Sequence, residues 1–194
     1  MTENSNSKFA ILGMLGIRPM SGYEIKKSIE RSIGFFWSES FGQIYPVLKQ
    51  LVAEGLANAQ NGDESRDSRR KVYEISTQGE KALREWLAFS ARTNLIRSEA
   101  LLKIFFGGQA DPETTRKHIE RELTECRRKL VAVNKVEQAL AQRSAGRQTE
   151  NDFHHGLTVA YGKKMLIALI DWCETSLRLC SWREAVGASK EELL

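Results

Sequence analysis

Motifs that mark catalytic and metal sites are missing from this 194-residue sequence. It has no glycine-rich phosphate-binding loop, no Gly-x-Ser-x-Gly nucleophile motif and no His-Glu-x-x-His metal motif. His154 and His155 are adjacent. Because neighbouring residues of a helix point about 100° apart, they predict a surface pair near a helix start rather than metal ligands. The sequence therefore predicts a protein that is not an enzyme and that holds neither a metal nor another cofactor.

Cysteine is scarce as well. Cys126, Cys173 and Cys180 are an odd number and lack the paired spacing of metal ligands. Each lies among apolar positions at helical spacing, which favours a small buried hydrophobic side chain, and a redox switch is the alternative. The first seven residues are polar and predict a frayed tail without a signal peptide. Together these features predict a reducing, cytoplasmic location.

The sequence has neither a long uncharged apolar run nor a strong excess of one charge. Its most apolar stretch, residues 157–182, contains five charged residues, so we expect no membrane span. The net charge is +4, and residues 1–90 carry 12 Lys and Arg against 11 Asp and Glu. An interface for nucleic acid must therefore be sought in the local arrangement of residues, because bulk charge does not indicate one.

What the sequence does contain begins with short capped helices. Apolar residues predict a first helix over residues 9–17. Ser21, with Glu24 three residues later, forms a capping box that starts a second helix. Residues 35–37 are aromatic and predict a brief extended segment. The second helix is expected to bury a stripe formed by Ile25, Ile29 and Ile33.

A third helix is predicted over residues 40–54, in the stretch SFGQIYPVLKQLVAEGL. Ser40 and Gln43 form its capping box. Pro46 then falls near the helix start, where the loss of a backbone donor costs less than it does in the middle of a helix. One face is expected to be buried and the other to face outward. The buried face consists of Ile44, Val47, Leu48 and Leu51, and the outward face of Gln43, Tyr45, Lys49 and Gln50.

A β-hairpin is predicted to follow the third helix. The runs LANAQ and KVYEIS are strand-like, the second because Val72 and Ile75 alternate loosely with polar neighbours. The polar segment between them contains Asn61-Gly62, a turn signal. These features predict a hairpin over residues 57–76. Thr77, with Glu80 three residues later, is expected to cap a fourth helix.

The C-terminal half is predicted to be helical, and a boundary divides the chain into domains 1–92 and 93–194. A short helix is expected over residues 98–106, followed by long helices over 112–143 and 153–182. The first long helix has apolar residues at alternating spacings of four and three, which resembles a heptad seam. The second is apolar on two faces and must therefore contact two neighbours. We expect these to be the preceding helix and the same helix of a second subunit.

This order of elements predicts a mainly α fold with a small β-hairpin, in which a winged helix-turn-helix precedes a helical domain. The recognition helix of such a protein lies in the major groove, with its N-terminal residues at base edges. Gln can pair with adenine, Lys can reach guanine or phosphate, and Tyr can contact phosphate or a thymine methyl. Cations on the hairpin, or wing, can meet the phosphate backbone. The candidate DNA-binding residues are Lys26, Gln43, Tyr45, Lys49, Arg69, Arg70 and Lys71.

Two alternatives stay open at this point. Asp63, Glu64 and Asp67 offset much of the charge at the hairpin tip, so the tip can equally be a solvated loop. A winged helix can also bind protein, in which case the chain would be an interaction scaffold without sequence-specific DNA binding.

The strings FGQIYPVLKQLVAEGL and SRRKVYEISTQGEKALREWL resemble the PadR family of bacterial transcriptional regulators. The family pattern has Gly-Gln-Ile/Leu-Tyr-Pro, then Leu-x-x-Leu-x-x-x-Gly-Leu, then Arg-Lys-x-Tyr with Thr-x-x-Gly. The segments SGYEIKKSI and SEALLKIFFGG also resemble the family, whereas most of the C-terminal half does so in architecture alone. This chain carries Gly42, Gln43, Ile44, Tyr45, Pro46, Leu48, Leu51, Gly55, Leu56, Arg70, Lys71, Tyr73, Thr77 and Gly79.

The resemblance implies a dimeric, mostly repressing regulator that binds a pseudo-palindromic operator of double-stranded DNA. It also implies dimerisation through the long C-terminal helices and, in some members, a response to a small aromatic effector. The two-faced last helix supports a homodimer independently, since self-complementary contacts about a two-fold axis are the commonest oligomeric arrangement. The expected dimer contacts are Leu157, Tyr161, Met165, Ala168, Leu169 and Trp172.

Aromatic residues of the C-terminal half are candidates for a ligand pocket. An aromatic lining suits a small aromatic effector because the rings offer a large apolar surface. The alternative is that these residues simply fill the hydrophobic core. The candidates are Phe105, Phe106, Tyr161 and Trp172, with Trp182 as a further member.

Overall fold

The computed structural model describes residues 3–60, 71–91, 98–144 and 149–191. The chain divides into two compact units, Met1–Thr93 and Asn94–Leu194. The first unit contains α1 (Glu3–Ile17), β1 (Met20–Ser21), α2 (Gly22–Ser32), α3 (Phe41–Ala53), β2 (Ala57–Gln60), β3 (Val72–Ile75) and α4 (Thr77–Ala88). The second contains α5 (Glu99–Phe105), α6 (Pro112–Ser144) and α7 (Glu150–Glu191), with a 3-10 turn at Gly107–Gln109.

The first helix is longer than its apolar residues predict. It begins at Glu3, so the prediction of a frayed tail was wrong for residues 3–7, and residues 1 and 2 lie outside the described residues. Ser7 is buried, Lys8 forms an ion pair with Glu54, and the ring of Phe9 stacks on Trp86 at 4.8 Å. These contacts with α3 and α4 hold the polar N-terminal turns in a helix because tertiary packing outweighs local composition.

The second helix begins where the sequence predicts, at a capping box. The Ser21 hydroxyl accepts a hydrogen bond from Glu24 N, and the Glu24 carboxylate accepts one from Ser21 N at 2.8 Å. Ile25 and Ile29 are fully buried, whereas Ile33 follows the helix and is partly buried.

The segment between α2 and α3 is a turn, so the expectation of an extended run over residues 35–37 was wrong. The amides of Phe36 and Trp37 both donate to the carbonyl of Ile33. The Trp37 indole donates to Glu39 Oε1 at 2.9 Å, and the Glu39 side chain is buried. This turn sets the position at which α3 starts.

The third helix packs its apolar face into the core of the first unit. Ile44, Leu48 and Leu51 are fully buried, together with residues of α1 and α2. The helix stops at Gly55, whose φ of +70° is accessible to glycine at no steric cost. Packing of α3 against α1 and α2 is the arrangement that a helix-turn-helix requires.

Three antiparallel strands complete the first unit, in the order β1-β3-β2. The predicted hairpin is present in β2 and β3, and its tip, residues 61–70, lies outside the described residues. Strand β1 pairs Met20 with Tyr73 and was missed, because two residues give no alternating pattern. Tyr73 is the buried residue of β3, while Val72 and Ile75 are only partly buried.

The fourth helix is capped one residue earlier than predicted. Its N-cap is Ser76, whose hydroxyl accepts from Gly79 N at 3.0 Å, so the assignment of the cap to Thr77 was wrong. Gly79 is buried against Leu56, and a Cβ atom placed on it would lie 2.0 Å from the Leu56 carbonyl oxygen. Only glycine fits this contact between α4 and the residue that directly precedes β2.

The second unit consists mainly of α6 and α7 packed against each other. Both extend beyond the predicted residues 112–143 and 153–182. The seam predicted on α6 is buried at Ile119, Leu123, Cys126 and Val133, and partly buried at Leu130, Val136, Glu137 and Leu140. A Lys163–Glu137 ion pair at 2.7 Å and an Arg127–Glu174 pair at 2.8 Å join the two helices.

Candidate nucleic-acid interface

The start of α3 is fixed by the side chain of Gln43. Its Oε1 accepts a hydrogen bond from Ser40 N at 2.8 Å, as the capping-box pattern predicts. This contact occupies the oxygen that a glutamine would offer to adenine. Gln43 is exposed. To bond to a base through both Oε1 and Nε2, its side chain must give up the capping hydrogen bond.

The face of α3 that points away from the core is centred on Gly42, Pro46 and Lys49. With about 100° between successive residues, these three lie opposite the buried residues of the helix. All three are exposed. Pro46 is the sixth residue of α3 and lacks the amide that would bond to the Gly42 carbonyl. It lies early in the helix and on its solvent side, where the loss of a donor is tolerated.

Tyr45 lies to one side of this outward face and braces the helix pair. It is partly buried and packs against the core of the first unit. Its ring lies over Gly22 at the start of α2, where an added Cβ would lie 2.7 Å from Tyr45 Cε1. Much of this side chain is therefore engaged within the protein, which limits what it can offer to DNA.

The lysines predicted to bind DNA differ in their surroundings. Lys49 is exposed and makes no ion pair with any residue that the structure describes. Lys26, in contrast, pairs with Glu30 at 3.0 Å, and its side chain is only 20% exposed. Lys71 lies at the start of β3 and is partly exposed, whereas Arg69 and Arg70 lie outside the described residues.

Gln50, on the predicted outward face, is also engaged. Its Nε2 donates to Oε1 of Glu54, the residue directly after α3, at 2.7 Å. Of the residues predicted on that face, Lys49 is therefore the one whose side chain is least engaged in contacts with other described residues.

Two aromatic residues that the sequence reasoning did not select are exposed at the same end of the helix pair. Tyr23 in the first turn of α2 is 53% exposed and Phe41, the first residue of α3, is 42% exposed. Their rings are nearly parallel, with centroids 6.2 Å apart. The signal was available in the sequence, since Phe41 follows directly on the Ser40 cap.

The apolar row predicted for a dimer interface is open to solvent in the single chain. Leu157, Tyr161 and Met165 are exposed by 55%, 59% and 39%. Ala168 and Leu169 are exposed too, while Trp172 is partly buried against the α6–α7 core. Val159, Leu166 and Cys173 form the separate face that packs on α6, so α7 is indeed apolar on two sides.

The residues predicted for a ligand pocket fall into two groups. Phe105, Phe106 and Tyr161 are exposed, and the rings of Phe105 and Phe106 meet edge to face at 5.0 Å. Trp182 is exposed as well. Trp172 instead packs against the α6–α7 core, the role that the alternative interpretation gave it.

The three cysteines are free thiols, and two of them are buried between α6 and α7. Burial raises the pKa of the Cys126 thiol, and it raises the pKa of Cys173 to about 11. Neither is a thiolate near neutral pH, which disfavours nucleophilic or redox reactivity at these two positions.

The described parts of the chain contain neither a metal site nor a membrane span. No group of three or more His, Cys, Asp or Glu residues there is placed to hold a metal ion. No helix among those residues has the length and apolar character needed to cross a bilayer.

Comparison with known proteins relates both units to bacterial regulators. Residues 11–85 match the Transcriptional regulator PadR-like family, and residues 96–181 match the Virulence activator alpha C-term family. The negative transcriptional regulator PadR of Bacillus subtilis is 26% identical over 174 residues, covering 89% of this chain and 96% of that protein.

Solved structures of the same Bacillus subtilis protein have a similar fold. PadR in complex with operator DNA has a TM-score of 0.71 at 25% identity, covering 89% of this chain and 98% of that one. PadR in complex with p-coumaric acid has a TM-score of 0.69 at 25% identity, covering 93% and 98%. The relatives that this chain matches are transcriptional regulators rather than enzymes.

Proposed function

We propose that this chain, a member of the PadR-like family of transcriptional regulators, is a cytoplasmic, homodimeric repressor that binds a pseudo-palindromic operator. The single observation that carries the proposal is the exposed outward face of α3. It combines a capped helix start with Lys49, which has no ion-pair partner among the described residues, on a unit that matches a transcriptional-regulator family. In a helix-turn-helix the recognition helix lies in the major groove, and its N-terminal residues contact base edges.

Within α3, we assign base reading to Lys49 and Gln43. Lys49 lies about two turns into the helix and is free to reach guanine or a phosphate oxygen. Gln43 exchanges its bond to Ser40 N for a bond to a base. Tyr45 has the secondary role of holding α3 against α2, with its exposed edge near the backbone of the DNA.

The wing would add contacts to the phosphate backbone. Arg69 and Arg70 are the proposed contacts, together with Lys71 at the start of β3. These contacts position the protein on any duplex and carry little sequence information. Lys26 would be a further phosphate contact, available when its ion pair with Glu30 opens.

The proposed dimer buries the apolar row on α7. Leu157, Tyr161 and Met165 are large apolar side chains exposed on a single helix face, which is an unfavourable arrangement in water. A second copy of the same helix would cover them through self-complementary contacts. The two recognition helices would then enter successive major grooves about 34 Å apart.

A small aromatic effector is proposed to release the operator. The p-coumaric acid complex of Bacillus subtilis PadR, a relative of similar fold, supports this class of ligand. Phe105, Phe106 and Tyr161 are the proposed contacts, since their exposed rings need apolar cover.

Fluorescence anisotropy tests this function directly. The purified protein is titrated with a labelled duplex from upstream of its own gene and with a scrambled duplex of the same composition, at two salt concentrations. We expect specific binding in the nanomolar range, tighter than binding to the scrambled duplex, and weaker at higher salt. Equal and weak affinity for both duplexes would contradict the proposal and favour the protein-interaction scaffold.

A further inference from the structure

A cluster of three aromatic rings marks the end of the helix pair at which α2 and α3 begin. Phe41 is in the middle, with its ring centroid 6.2 Å from Tyr23 on one side and 6.2 Å from Tyr45 on the other. The three differ in burial. Tyr45 packs against the core, whereas neither Tyr23 nor Phe41 is part of that core.

The exposure of Phe41 is not explained by the fold. The first residue of α3 needs no aromatic side chain, because the cap is made by Ser40 and Gln43. A large apolar ring that is 42% exposed at this position is not part of the core of the first unit. Tyr23 stacks on it with an interplanar angle of 9°, so the ring of Phe41 is held in place although it is open to solvent.

The side chains around the Phe41 ring suit DNA, a polyanion whose major groove also presents the apolar methyl group of thymine. Lys27 Nζ lies 5.9 Å from the centroid of Tyr23 and pairs with Glu30 at 2.9 Å, so the cation of this region that has no ion pair within the described residues is Lys49, on the outward face of α3 two turns away. Of the four bases, only thymine presents a methyl group in the major groove, and that methyl is read by apolar contact. The N-terminal residues of a recognition helix are the ones that reach base edges.

We propose that Phe41 contacts the C5-methyl group of a thymine in each operator half-site and is a specificity-determining residue. Tyr23 is a positioning residue that holds the Phe41 ring through their stacked contact. The inference rests on the proposed function, since it assigns one base contact of that operator. It also transfers the thymine-methyl contact, which the sequence suggested for Tyr45, to a neighbour whose ring is free to make it.

The test removes the methyl group from the DNA and the ring from the protein. The operator is a duplex recovered by selecting genomic fragments that bind the protein, and each thymidine is replaced in turn by deoxyuridine. Affinities are measured by anisotropy for the wild type, Phe41→Ala and Phe41→Leu. Val52→Ala is the matched control, because Val52 is 38% exposed on the same side of α3 but three turns further from its start.

We expect at least one position at which deoxyuridine weakens wild-type binding about fourfold, the value of one buried methyl group. The same replacement in the DNA should hardly change the affinity of Phe41→Ala. It should weaken the binding of Phe41→Leu by less than fourfold and that of Val52→Ala by as much as that of the wild type. Circular dichroism melting of each variant confirms that it is folded, and Phe41→Leu retains an apolar side chain at the position.

Three results would overturn the inference while leaving the proposed function intact. One is wild-type binding that prefers the operator but is insensitive to every replacement, and another is equal sensitivity in the wild type and Phe41→Ala. The third is unchanged operator binding by Phe41→Ala, which would make the ring a contact for a protein. If the wild type shows no preference for the selected duplex over a scrambled one, the proposed function itself fails, and the inference fails with it.

Discussion

Gly22 and Tyr45 fix the distance between the two helices of the helix-turn-helix. The ring of Tyr45 on α3 lies directly over the Cα of Gly22 on α2, and an added Cβ would lie 2.7 Å from Cε1. No real Cβ contact is that short, so any other residue at position 22 must move the ring or the helix. Since the same ring also contacts Phe41, the contact links helix packing to the surface proposed to meet DNA.

Replacing Gly22 by alanine is expected to destabilise the protein. The variant should lose about 1–3 kcal/mol of unfolding free energy, the usual effect of overpacking a tight contact. Urea unfolding followed by circular dichroism measures it. Gly13→Ala is the matched control, because a Cβ on this helical glycine meets nothing within 4 Å, and it should gain about 0.5–1 kcal/mol. Equal effects of the two substitutions would show that the Gly22–Tyr45 contact is less close than described.

Gly42→Ala is expected to stabilise the protein but to weaken its binding to the operator. An added Cβ has open space, with Ser40 Oγ at 3.7 Å as its nearest neighbour, so the helix should gain about 0.5–1 kcal/mol. On the outward face of α3, the same methyl would stand between the helix and DNA. We expect operator affinity to fall about fivefold, equivalent to roughly 1 kcal/mol. A variant that is more stable and binds equally well would show that α3 does not approach DNA closely at this residue.

The sequence predicted the elements whose signals are local. The capping boxes at Ser21 and Ser40 depend on residues three positions apart, and both helices start where expected. Strand β1 and the first turns of α1 depend on partners far along the chain, such as Tyr73 and Trp86, and local patterns do not show these.

For the candidate site, the sequence predicted the helix, α3, but not the contacts of each side chain. The sequence suggested that Gln43 both caps α3 and contacts DNA. In the structure its side chain accepts the capping hydrogen bond from Ser40 N. The sequence placed Tyr45 and Gln50 on the outward face, although Tyr45 covers Gly22 and Gln50 bonds to Glu54. Such contacts depend on the positions of neighbouring side chains in three dimensions, which the spacing of residues along the sequence does not specify.

The capping box of α2 should make stability depend on pH. Hydrogen bonds from the Ser21 amide and hydroxyl, with Arg18 nearby, lower the pKa of Glu24 below its ordinary value. A lowered pKa in the folded state means that the stabilisation is present above the unfolded pKa, about 4.3, and is lost as the pH falls through the folded value. The Glu24→Gln variant should therefore be less stable than the wild type at pH 7, with the difference shrinking toward pH 3. A difference that stays constant over this range would contradict the role of the ionised carboxylate.

Charge placed on the apolar row of α7 is expected to separate the proposed dimer. Ala168→Glu introduces a carboxylate between Met165 and Trp172, and burying it at an interface would be strongly unfavourable. Ala160→Glu is the matched control, since Ala160 is exposed on α7 about 80° further around the helix. Analytical ultracentrifugation should find Ala168→Glu monomeric and Ala160→Glu dimeric at the same concentration. A dimer that survives Ala168→Glu would place the interface elsewhere.

Whether Lys49 reads the operator is the decisive question for sequence recognition by α3. The ratio of affinities for the selected operator and a scrambled duplex is measured for the wild type, Lys49→Ala and Lys135→Ala. Lys135 is an exposed lysine on α6, so both variants lose one positive charge. Loss of a base contact should lower the ratio about tenfold for Lys49→Ala, and Lys135→Ala should leave it unchanged. An unchanged ratio for Lys49→Ala, with both duplexes bound equally less tightly, would contradict the claim that the outward face of α3 recognises DNA sequence.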